Sequence, residues 1–116
     1  SGISLAESSY TYIFNNKISN NGANGIEVAK SSNVYIHDNS ISNNGANGVY
    51  LSKTVNGANY GEGPEKIYIN KNTINRNSND GILIQNAGND VNINSNAWKF
   101  YQFFCSPFHV LCSSSG

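Results

Sequence analysis

Tyr35, His37 and Asp38 bring a phenol, an imidazole and a carboxylate together within four positions of this sequence. On a strand, Tyr35 and His37 share one face, because side chains alternate. An imidazole beside a carboxylate, with a phenol close by, could abstract and return a proton α to the carboxyl group of a uronate. Aspartate at a turn has a blander use as well, since it caps backbone amides there. A second set recurs along the chain. Tyr12, Tyr35 and Tyr68 occupy equivalent places in three similar segments, with Phe14, His37 and Asn70 two positions on. In-register stacking would set successive rings about 4.8 Å apart. Aromatic strips of this kind suit sugar rings, whose C–H faces pack on aromatic faces, although stacked tyrosines also stabilise a sheet without any ligand. Further candidates for substrate contact are Glu27, which alternates outward in its own run, and Tyr60 and Glu62. The last two lie with Glu65 and Lys66 in the glycine-rich segment 54–66, a loop of the sort that walls a groove.

These residues are positioned by a repeat. Gly2, Gly25 and Gly48 open three similar blocks spaced 23 residues apart, and Gly81 opens a fourth after a step longer by ten. Each block holds apolar runs of three to five residues with period two. Ile3, Ile26, Val49 and Ile82 form one column, and Leu5, Val28, Leu51 and Ile84 the next. Thr11, Val34, Ile67 and Val91 follow, then Ile13, Ile36, Ile69 and Ile93, then Ile18, Ile41 and Ile74. No block can bury its own apolar face, so the blocks must stack. Helical repeats fit badly, because asparagine occurs 22 times and Asn and Gly are poor helix formers. Leucine-rich repeats share the block length but need leucines on a fixed consensus. The fold expected is all-β: a right-handed parallel β-helix of about three and a half coils over residues 1–96, with an aromatic C-terminal cap or non-native tail over 97–116.

Asparagine marks the turns. Asn16, Asn39, Asn72 and Asn96 align after the second run, and Asn21, Asn44 and Asn77 after the third. Asn tolerates left-handed backbone and satisfies turn amides with its side chain. Stacked identical asparagines can also hydrogen-bond along their column, which predicts a structural ladder at Asn16, Asn39, Asn72 and Asn96. Asn24-Gly25 and Asn47-Gly48 mark coil starts.

Composition narrows the partners. Seven basic and seven acidic residues give zero net charge, so neither a nucleic-acid patch nor an acidic tail is present. The aromatic segment Trp98, Phe100, Tyr101, Phe103, Phe104 and Phe108 is too short for a membrane span. Cys105 and Cys112 are spaced for a local disulfide in an oxidising compartment, and with His109 they are too few for a zinc site. No metal or other cofactor is expected. No glycosylation sequon occurs among the 22 asparagines, which leans toward a bacterial or phage source. The chain starts inside a repeat, as a piece of a longer β-helix would. Uncapped ends predict end-to-end self-association.

The segments SSNVYIHDNSISNNGANGVYL and EKIYINKNTINRNSNDGILI resemble the β-helix repeat of the pectate-lyase-like superfamily. The resemblance spans roughly residues 2–96, and it is closest in feel to mannuronan C5-epimerase and polysaccharide-lyase modules. It implies an extracellular or cell-surface protein acting on or binding a uronate polysaccharide. The epimerases' Asp-Pro-His motif does not occur here, and the corresponding fragment reads Ile36-His37-Asp38. The alternative is a structural or surface-display solenoid without catalysis.

Overall fold

Short β-branched runs bounded by Asn, Gly and Ser become strands, and each pairs with its equivalent in the neighbouring block. A computed structural model describes residues 1–99 and 110–115, with side chains described for 1–97. The first block supplies β1 (Ile3–Ala6), β2 (Ser9–Phe14) and β3 (Lys17–Ser19). The second supplies β4 (Ile26–Ala29), β5 (Ser32–His37) and β6 (Ser40–Ser42). The third opens with β7 (Val49–Leu51), is interrupted by β8 (Thr54–Val55) and β9 (Ala58–Asn59), and resumes with β10 (Glu65–Asn70) and β11 (Thr73–Asn75). Then come β12 (Ile82–Ile84), the long β13 (Val91–Lys99) and β14 (Val110–Ser115). Among the described residues there is no helix.

Three walls result. The first is β1-β4-β7-β12, the second β2-β5-β10-β13, and the third β3-β6-β11 with the end of β13. All these pairings are parallel, and the register is that of the apolar columns: Ile3↔Ile26, Ile26↔Val49 and Val49↔Ile82 in the first wall. In the second wall Tyr12, Tyr35, Tyr68 and Asn92 lie side by side. A chain that passes through three parallel walls once per block is a parallel β-helix. Its interior is the stacked columns. Ile26, Ile36, Ile41, Ile67, Ile69 and Ile74 are completely buried, and each such side chain contributes about 1.5–3 kcal/mol. Ile3 and Leu5, covered from one side only, remain partly exposed.

The turns differ from expectation in one respect. The residues with left-handed backbone at the second corner are Asn15, Asp38, Lys71 and Ser95, with φ of 55–58°. At the third corner they are Asn20, Asn43 and Arg76. Each immediately precedes a ladder asparagine. The ladder residue therefore keeps ordinary backbone and turns its amide inward, while the strained position is left to whatever residue comes before it.

The 54–66 insertion is also more ordered than a plain loop. β8 and β9 form a two-residue hairpin, Val55↔Ala58 and Thr54↔Asn59. Its turn, Asn56-Gly57, has φ of 51° and 81°. That is the conformation Asn-Gly favours in tight hairpins. Val55 is buried and anchors the hairpin.

β13 crosses the boundary drawn at residue 96. It pairs with β10 over Val91–Asn94 and with β11 over Ala97–Lys99, so Trp98 takes the register position of Ile18, Ile41 and Ile74. β14 then lies parallel on β13, Val91↔Val110, which carries parallel pairing into the segment expected to be a cap or tail. The aromatic residues from Phe100 to Phe108, and Cys105 of the expected disulfide, lie outside the described residues.

Candidate functional site

The outer face of the second wall carries the aromatic strip. The rings of Tyr12 and Tyr35 stack at 4.7 Å and 8°, and those of Tyr35 and Tyr68 at 4.9 Å and 10°. Phe14 and His37 stack beside them at 5.2 Å and 2°. Parallel in-register strands force this geometry, since equivalent side chains are one strand spacing apart. Rings stacked this closely cover one another's faces and turn their edges and hydroxyls to solvent. At the first coil, Tyr10, Tyr12 and Phe14 are the exposed large apolar side chains among the described residues.

His37 and Tyr35 project from the same side of β5, about 7 Å apart along the strand. His37 Nδ1 lies 2.6 Å from Asp38 Oδ2. Asp38 sits at the left-handed corner position. Its backbone is tied to both neighbouring coils, donating to the Lys71 carbonyl and accepting from the Asn15 amide. With its backbone held there, its carboxylate engages the imidazole. In the tautomer that places the proton on Nδ1, Asp38 fixes the ring and leaves Nε2 free as a base. Partial desolvation in the stack, then the neighbouring phenols of Tyr12, Tyr68 and Tyr10, hold the Tyr35 hydroxyl above its ordinary range. Tyr35 is thus protonated at neutral pH and suited to donate a proton rather than take one.

That shift has a measurable sign. A phenol whose folded value is raised binds its proton more tightly when folded. Its share of stability is complete below the ordinary tyrosine range near pH 10 and is lost as pH rises through the raised folded value. In a tyrosinate absorbance titration, Tyr35→Phe should remove amplitude from the high-pH end of the curve.

A cleft of about 480 Å³ opens at the corner between the first and second walls. Glu7, Lys30, Lys53, Glu62 and Glu65 line it together with a serine shelf, Ser8, Ser9, Ser31 and Ser32. The insertion supplies its wall and is pinned there, with the Lys30 amide donating to the Glu62 carbonyl at 3.1 Å and Gly88 to Pro64 at 2.8 Å. Buried Ser31 is saturated. Its hydroxyl donates to the Ala29 carbonyl and accepts from the Ser8 amide. Ser9, Ser32 and Glu65 start β2, β5 and β10 in register. The tyrosine strip follows three residues later, about 10 Å along the same strands.

The structure does not gather every candidate. Glu27 belongs to the first wall, between Ser4 and Tyr50. It is buried there, accepts a hydrogen bond from the Ser1 hydroxyl, and is not on the strip. Tyr60 follows the hairpin, its amide donating to the Lys53 carbonyl at 2.8 Å, and it does not line the cleft. Glu62 does. The expected asparagine ladder is present: Asn16, Asn39 and Asn72 each donate their side-chain amide to the next Oδ1, at 3.2, 3.0 and 3.0 Å, ending on Asn96. Asn21, Asn44 and Asn77 form a second ladder at 2.9 and 2.8 Å. A third, Asn47 donating to Asn24 at 3.0 Å, was signalled in the sequence only by its recurrence before the coil-start glycines. Among the described residues no three His, Cys, Asp or Glu converge as a metal site, and no helix is long and apolar enough to cross a membrane.

Residues 1–98 match the family model of the right handed beta helix region, and the chain belongs to that family. The handedness of the three-walled solenoid follows from this match. Comparisons with curated proteins and with solved structures give no significant match.

Proposed function

We propose that the second wall is a carbohydrate-binding surface that receives a polysaccharide of the uronate type. The observation that carries this reading is an alignment. The serine-lined cleft, the phenol strip and the His37–Asp38 pair follow one another along the same strands, over about 17 Å. A sugar chain laid along β5 would meet hydroxyls and charged groups first, phenol edges next and an oriented imidazole last. Polysaccharide sites of this extent combine apolar surface with a few placed polar groups.

The finer proposal is β-elimination rather than epimerisation. His37 Nε2 would take the proton from C5, the C–H electron pair would become the C4–C5 double bond, and the C4–O4 bond would break. Protonated Tyr35 would supply the departing oxygen with its proton. Both groups stand on one flat wall and approach the sugar from one side. Inversion at C5 needs the proton returned from the opposite side, a position that neither of these two groups reaches. The stack itself favours a second reading, a non-catalytic structural or display solenoid, because the tyrosine faces are spent on one another.

Proton NMR of a uronate polysaccharide panel, alginate included, in deuterated buffer separates these readings. New olefinic signals support elimination, and deuterium at C5 without them supports epimerisation. Broadened sugar resonances alone support a binding module. Sharp, unchanged spectra overturn the carbohydrate reading and leave the scaffold. Tyr35→Phe should keep binding and lower any turnover by about 10²–10⁴-fold, the usual worth of a positioned proton donor. Tyr35→Ala with Tyr68→Ala should abolish binding.

A further inference from the structure

Five Asn-Gly steps occur in this chain: Asn21-Gly22, Asn24-Gly25, Asn44-Gly45, Asn47-Gly48 and Asn56-Gly57. This dipeptide is chemically labile, because a glycine presents no side chain to hinder its own amide nitrogen. That nitrogen can attack the preceding side-chain carbonyl whenever both groups are free to meet. The structure sorts the five steps sharply.

Four belong to ladders. Asn44 is buried, with its amide donating to Asn77 and to the Ile18 carbonyl, while the Gly45 amide donates to the Asn21 carbonyl. Asn24 and Asn47 are buried and bonded to each other, and the amides of Gly25 and Gly48 donate to the carbonyls of Asn47 and Asp80. Asn21 donates its side-chain amide to Asn44. In these steps the electrophile is held, and in three of them the nucleophile is held as well. Asn56 is different. Asn56 and Gly57 are both exposed at the tip of the β8–β9 hairpin, and no hydrogen bond ties either side of the reacting pair among the described residues.

We propose that Asn56 is a self-modification site, at which the chain deamidates spontaneously and selectively. The Gly57 nitrogen forms a bond to Asn56 Cγ, the Cγ–Nδ2 bond breaks and ammonia leaves, giving a cyclic imide. Water then opens the imide at either carbonyl to give aspartate or isoaspartate. The balance is one water consumed and one ammonia released, with no oxidant or cofactor. Isoaspartate inserts a methylene into the backbone of a two-residue turn, which cannot keep the hairpin register with an extra atom. The hairpin seats Val55, and its chain runs on to Glu62 at the cleft wall. Conversion at Asn56 therefore loosens that wall as the protein ages.

The test is incubation of the whole chain at mildly alkaline pH in ¹⁸O-water, followed by cleavage at lysine and mass spectrometry. Asn56 lies in the fragment 54–66. The expected result is label and deamidation mass at Asn56 at least about tenfold ahead of all four ladder sites, whose reaction must await local opening. In urea the five sites should react at similar rates. Equal rates in the folded chain, or a lag at Asn56, would overturn the proposal. Asn56→Gln should remove the fast label and leave the other sites unchanged.

Discussion

Asn72→Ala should destabilise the solenoid by about 3–5 kcal/mol, read as a fall in the urea midpoint at unchanged slope. Asn72 is 1 % exposed and sits in mid-ladder. Its Oδ1 accepts from both the backbone and side-chain nitrogens of Asn39, each at 3.0 Å. Its Nδ2 donates to the Ile36 carbonyl, the Asn70 carbonyl and Asn96 Oδ1. Alanine would strand the Asn39 donors and the Ile36 acceptor in a dry corner, and each stranded group costs about 1–3 kcal/mol. Asn16→Ala is the control. Asn16 is exposed at the end of the column, and its loss leaves the Asn16 backbone amide on Asn39 Oδ1. Its cost should be about 1 kcal/mol or less. Asn72→Asp should be the harsher change at neutral pH, because a carboxylate would face the Ile36 carbonyl and Asn96 Oδ1 with no proton to give. Part of its loss should return on acidification, when that carboxyl regains a donor. Equal midpoints for the Asn72 and Asn16 alanine variants would show that the ladder does not hold the coils.

Gly48→Ala should be comparably severe, about 3 kcal/mol or more, while Gly22→Ala should fall within about 0.5 kcal/mol of the parent. The reason is space rather than backbone freedom, since Gly48 does not adopt a left-handed φ. A Cβ at Gly48 would come within 2.5 Å of the Gly81 carbonyl oxygen and 2.9 Å of both Asn77 Nδ2 and Ile74 Cγ2. The backbone cannot step aside, because the Val49 amide is bound to that same Gly81 oxygen at 2.9 Å. Gly25 meets the Gly48 oxygen in the same way, at 2.6 Å. Gly22, which also follows an asparagine, has nothing within 4 Å. Thermal melts of the two single alanine variants separate a packing column from an ordinary loop glycine. A tolerated Gly48→Ala would mean that adjacent coils can part there.

The fold was legible because every apolar column states its own register. Ile13, Ile36, Ile69 and Ile93 need a common interior, and parallel stacking at one-block spacing is what provides it. The ring stack was legible for the same reason, as spacing between strands fixes spacing between equivalent side chains. What escaped the sequence depended on side-chain direction or on the corner between walls. Glu27 alternates as an outward residue, yet its wall turns it away from the tyrosines, and a strand pattern does not say which wall it is on. The left-handed corner residues share no type, Asn15, Asp38, Lys71 and Ser95, so composition could not mark them. The β8–β9 hairpin was announced by Asn56-Gly57, but the flanking strands are two residues long and carry no alternation to read. The cleft arises where the insertion folds back on Lys30, a contact between segments that no local pattern encodes.

The asparagine columns have directions, and they do not all agree. At the second and third corners the amide hydrogens point toward the following coil, while at the coil start Asn47 donates back to Asn24. The first coil therefore ends as a keyed joint. Among the described residues, Asn16 Oδ1 and Asn21 Oδ1 have no donor, and Asn24 Nδ2 has no acceptor. A coil that arrives in the same orientation brings two donors and one acceptor to the matching corners. A coil that arrives upside down reverses the order of the corners, so at least one corner meets its own kind and the three columns cannot all continue. Like a keyed thread, that edge would be matched in full by one polarity only.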